Sequence, residues 1–165
     1  MYSKSDLLAA INRETAILQH LVTKIPHDML DYRPSESQRS VLELLQYLSF
    51  AIAGGVETIL AGSSDGVFEK YVPESMNLTL ENASEKFTAQ LATVESLLAD
   101  VTAEDLATEL SLWGGPVRSK GAHLVELPLA WLYAYKTQLF VTIKMGGISD
   151  IGTMNLWAGM DAPAK

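Results

Sequence analysis

The feature that most restricts this chain is the spacing of its apolar residues. Four long segments carry them every three or four positions, and no stretch of similar length alternates apolar with polar residues. A period near 3.6 buries one face of a helix, so an all-α fold is expected. In the first segment Leu7, Leu8, Ile11, Leu18, Leu21, Val22 and Ile25 form a stripe that Glu14 interrupts and Pro26 ends. In the second, Ser40 and Glu43 have capping-box spacing, and Val41, Leu44, Leu45, Leu48, Ile52, Val56 and Ile59 continue on one face to an end near Gly62. The third covers residues 80–99 through Leu80, Ala83, Phe87, Leu91, Val94 and Leu98. The last runs through Trp131, Leu132, Tyr135, Leu139 and Ile143 to a stop at Gly146 and Gly147, with Pro128 expected in its first turn, where a missing N–H is harmless, in preference to a kink inside a longer helix.

Between these segments the chain is punctuated by breakers. Residues 28–39 are polar, and Pro34 forbids a continuing helix. Residues 62–78, with Gly66 and Pro73, are expected to form a surface loop long enough to rim a pocket. Thr102 and Asp105 can cap a short extra turn, and Trp113 to Pro116 read as a loop. Gly54 and Gly55 inside the second helix imply a close helix crossing or a bend. The tail, residues 148–165, is expected to be irregular, yet its Met154, Leu156 and Trp157 need a surface to cover.

A chain of 165 residues, 48% hydrophobic, fits one domain, residues 1–165, able to bury about 70% of its unfolded surface. Without cysteine there are no disulfides, thiolate metal sites or cysteine nucleophiles, and a cytoplasmic location is expected. Twenty acidic against 12 basic residues give a formal charge of −8, which repels a phosphate backbone and argues against nucleic acid as a partner. The first residues lack the apolar core of a signal peptide, and no stretch is expected to reach the ~20 apolar residues of a membrane span.

Three stretches carry a resemblance: DYRPSESQRSVLELLQYL (residues 31–48), WLYAYKTQLF (131–140) and KMGGISDIGTMNLWAG (144–159). Their order and separation resemble the DinB/YfiT-like family of small bacterial four-helix bundles. The resemblance implies a four-helix bundle with helices running up-down-down-up. It also implies a divalent-metal site built from one histidine of the second helix and two, four residues apart, of the last. At those positions this sequence has Tyr47, Trp131 and Tyr135. An indole offers no lone pair, and a phenol with a pKa near ~10 must lose its proton before it binds a metal well.

The chain is therefore expected to have a degenerate metal site, no cofactor and no catalytic residue. It reads as a non-catalytic protein that binds a small ligand or a partner, possible arrangements including a homodimer through helix faces or the tail. Its ligand-pocket candidates are Tyr47, Trp131 and Tyr135, with polar contacts from Arg33 and Gln138 to a small apolar or aromatic ligand. The bland alternative is that the three aromatics simply fill the vacated space. The rival functional reading is a metal- or thiol-dependent hydrolase or transferase of the same superfamily with atypical ligands. For that, His123 and Glu126, three apart, are the remaining metal candidates, and they need a third ligand from elsewhere. His20 and His27 read as solvated, and no G-x-S-x-G elbow surrounds the serines near the second helix.

Overall fold

A computed structural model describes residues 3–163. The first bundle helix, α1 (Lys4–Val22), starts where the Ser3 hydroxyl accepts from the Asp6 N–H and the Asp6 carboxylate accepts from the Ser3 N–H. The second begins with the same device at Ser40 and Glu43, as the spacing predicts, but it comes in two pieces, α2 (Val41–Leu48) and α3 (Ala51–Ala61). Gly62, with φ +77°, ends α3 in the left-handed region that glycine tolerates. The third bundle helix is α5 (Ala83–Leu98). The fourth runs from α7 (Lys120–Leu124) through a π-helical turn at Val125–Leu129 into α8 (Ala130–Met145).

Side-chain contacts fix the directions of these helices. Gln19 near the end of α1 bonds to Ser84 at the start of α5, and Lys4 at the start of α1 bonds to Leu98 at its end, so the two are antiparallel. Lys4 also borders a groove with Gly121 and Ala122, while Glu14 meets Lys136, so α1 and the fourth helix are parallel. Lys120 reaches the Leu60 carbonyl and Tyr135 meets Tyr47, so the second and fourth are antiparallel. The bundle therefore runs up-down-down-up, as the resemblance implies. Val41–Ala61 is, by length and composition, apolar enough to cross a membrane, contrary to expectation. Its Leu44, Leu45, Leu48, Ile52, Val56 and Ile59 are all buried in the bundle core.

Several connectors differ from their expected form. Residues 62–78 are no plain loop: they contain α4 (Val67–Ser75), with Pro73 inside it and Val67 buried against the bundle. Its apolar face outweighs the two breakers at Gly66 and Pro73. Pro128 is not in a first turn, because the helix already begins at Lys120. It lies in the π-helical turn, whose wider backbone loop gives room to a ring that clashes with the carbonyl four residues earlier in an α-helix. The turn at Thr102 is a helix, α6 (Ala103–Ala107), and two short strands, β1 (Glu109–Leu110) and β2 (Arg118–Ser119), pair antiparallel across the Trp113–Gly114–Gly115–Pro116 loop.

The tail is also more ordered than its composition implies. It forms α9 (Thr153–Trp157), which packs on α1. Its buried anchors are Ile151 and Asn155, while Met154 and Trp157 stay exposed. Glu14, the interruption in the first stripe, is fully buried and paired with Lys136 of α8. Lys136 also donates to the Leu156 carbonyl at 3.0 Å and Arg13 to that of Trp157 at 2.8 Å, so this ionic group clamps α9 to the bundle.

Candidate functional site

Antiparallel packing of α2 against α8 brings Tyr47 and Tyr135 together, with ring centroids 4.7 Å apart and planes inclined by 59°. Phe50, at the break in the second bundle helix, lies edge-on to Tyr47 at 5.5 Å. The Arg39 guanidinium covers the pair from outside, 4.4 Å from the Tyr47 centroid and 5.6 Å from that of Tyr135. Trp131, one turn earlier on the fourth helix, packs over Gly55 of α3. A Cβ on Gly55 would come within 2.8 Å of its ring, and one on Gly54 within 2.8 Å of Phe68. The glycine pair thus makes room for two aromatic rings and, at Gly55, for the fourth helix itself, whose Pro128 Cβ lies 3.3 Å from where a Cβ would stand. Gly55→Ala is expected to lower stability by about 1–3 kcal/mol through overpacking, measured by chemical denaturation; an unchanged midpoint would mean that Trp131 moves freely.

Burial pushes the Tyr47 hydroxyl up to about 12, with the neighbouring Tyr135 acting in the same direction and the Arg39 charge opposing. Burial and a hydrogen bond to the Glu57 carboxylate likewise raise Tyr71. The same bond, followed by Lys70, holds Glu57 below the usual carboxylate range. Both phenols stay protonated in the folded chain at pH values where unfolded tyrosine ionises. Their contribution to stability is complete below pH 10 and is lost as pH rises from there through the folded values. Tyrosinate absorbance is expected to show at least two of the six tyrosines titrating late, coincident with loss of helical signal; six ordinary titrations would contradict it.

Beside this cluster lies a shallow, solvent-open cleft of about 390 Å³ bordered by the 33–39 connector, α2 and α4. Its lining includes the aromatic Tyr47 and Phe50, the apolar Val72 and Met76, and the charged Arg33, Glu36, Arg39 and Glu43. Of the polar residues expected at the site, Arg33 lines the cleft, bonded to Glu43 at 3.3 Å and to the Gln38 carbonyl at 3.2 Å. Gln138 is half-buried on α8 and is not part of that lining. Nor is Trp131, which stacks instead near Trp113, at a centroid distance of 6.2 Å. Sequence reasoning missed Arg39, Phe50, Val72 and Met76. Arg39 adjoins the Ser40 cap, a position fixed by the helix start, and this was its one legible signal.

Two solved structures are similar to this arrangement of helices. One is a DinB-like protein, YjoA, from Bacillus subtilis, with a TM-score of 0.68 at 20% identity, covering 86% of this chain and 92% of that one. The other is a putative member of the DinB family from Exiguobacterium sibiricum, with a TM-score of 0.65 at 21% identity, covering 91% and 97%. The fold is DinB-like. No family model and no curated protein matches the sequence.

The family resemblance of the sequence implies a metal at the place where Tyr47, Trp131 and Tyr135 stand, and the chemistry of these side chains does not fit one. The indole lacks a lone pair, and the Tyr47 phenol is held protonated to about pH 12. His123 and Glu126 are not brought together as a pair either. His123 is buried and its ring nitrogen lies 3.1 Å from the Leu110 carbonyl, whereas Glu126 is exposed beside Arg118 at 3.7 Å. His20 is partly buried, 3.0 Å from Asn155, and His27 is exposed next to Glu81. Among the described residues no group of three or more histidines and carboxylates could hold a metal ion.

Proposed function

We propose that this chain is a non-catalytic small-ligand-binding protein on a DinB-like scaffold, in which packed aromatic rings have replaced a metal centre. The observation that carries this reading is the Tyr47–Tyr135 contact at 4.7 Å, with its Arg39 cover, standing beside a cleft of ligand size. Of these rings Tyr47, with Phe50 edge-on to it, lines the cleft, while Tyr135 supports Tyr47 from behind the lining, so a small aromatic molecule has a packed ring to lie against. Elemental analysis of untagged protein after incubation with zinc or nickel should find metal at background, and small aromatic compounds should raise the melting temperature, less so in Tyr47→Ala. Stoichiometric metal would favour a metal-dependent hydrolase or transferase instead. A half-exposed Trp157 near the exposed Met160 favours a second reading, a homodimer through the tail, which light scattering tests.

A further inference from the structure

Arg39 has an unusual position among the cations of this chain. The structure gives Lys24, Arg33, Lys70, Lys86, Arg118 and Lys136 a carboxylate within ion-pair distance. Among the described residues Arg39 has no hydrogen bond and no such pair; its close contacts are the rings of Tyr47 and Tyr135. Stacking uses the face of a guanidinium and leaves the N–H donors at its edge for another acceptor. Glu43 feels the Arg39 charge but is already engaged by the Ser40 N–H at 2.7 Å and by Arg33 at 3.3 Å. A positioned cation with donors free at its edge thus lines an open cleft that Tyr47, Phe50, Val72 and Met76 also line.

We propose that Arg39 is the anion anchor of this cleft, and that its ligand is a small monocarboxylate with an aromatic or aliphatic body. The carboxylate meets the guanidinium edge and the body lies against the aromatic and apolar lining. Glu36 in the same lining and the net charge of −8 set a limit on ligand charge, and disfavour phosphate esters and polyanions. This inference rests on the ligand-binding reading above and specifies its chemistry.

The test is calorimetric titration of the full chain with 3-phenylpropionate, with its neutral counterpart 3-phenylpropanol and with inorganic phosphate. Phenylpropionate should bind about tenfold or more tighter than the alcohol, as a charge-assisted hydrogen bond implies. Arg39→Met keeps an apolar stem on the rings; it should bring the acid down to the affinity of the alcohol and leave the alcohol unchanged. Equal binding of acid and alcohol by the native chain, or undiminished acid binding by Arg39→Met, would overturn the anchor and leave the cleft standing. So would displacement of phenylpropionate by equimolar phosphate. Binding of neither organic probe would overturn the ligand-binding reading itself.

Discussion

Replacing Lys136 with methionine is expected to lower the free energy of unfolding by about 3–5 kcal/mol, because it strands the Glu14 carboxylate in the core. The two side chains are 1% and 0% exposed and meet across 122 residues of sequence. Arg13, at 2.8 Å, satisfies the second Glu14 oxygen from the surface but does not reach the one that faces Lys136. A buried pair adds little over two apolar residues of similar volume, whereas half a pair is costly. Glu14→Leu combined with Lys136→Met should therefore recover most of the loss. Urea denaturation of the two variants decides the matter; a double variant as unstable as the single one would trace the loss to packing.

Gln90→Leu is expected to destabilise by roughly 2–4 kcal/mol, since it leaves buried backbone groups unpaired. The second bundle helix breaks at Ser49 and Phe50, and the Gln90 side chain, reaching from α5, bridges the break. It donates to the Leu48 carbonyl at 2.7 Å and accepts from the N–H groups of Ile52 at 2.9 Å and Ala53 at 3.3 Å. Hydrogen exchange at Ile52 and Ala53 should accelerate in the variant well beyond its effect on Val94, and uniform acceleration would show global loosening instead. Because Phe50 and Tyr47 flank the break, the same substitution should also disturb the wall of the cleft.

Much of the bundle is legible in the sequence because helical period and capping are local. Ser40 with Glu43, Thr102 with Asp105, and the glycines at 146 and 147 act within a few residues of one another and appear where their spacing predicts. The up-down-down-up order is not local, and came from resemblance alone. Polar residues on apolar stripes were the weak signal for the rest. Glu14 was visible as an interruption and Gln90 takes the buried position next to Leu91, but their partners lie 122 and 37 to 42 residues away. Pro73 and Pro128 misled because a proline reports a missing N–H, not whether tertiary packing holds a helix around it. At the candidate site, the contact of Tyr47 with Tyr135 follows from helix register, while Arg39 depended on a connector without a period.

The Glu14–Lys136 pair also sets an order of events during synthesis. With 122 residues between the partners, a ribosome adding about 5–20 residues per second leaves the Glu14 oxygen that Arg13 does not reach without its partner for roughly 6–24 s. Throughout that interval water is the better environment for the carboxylate, so the nascent first helix cannot bury this face against its neighbours. Final closure of the bundle awaits Lys136, and the apolar stripe around Glu14 meanwhile remains open to chaperones.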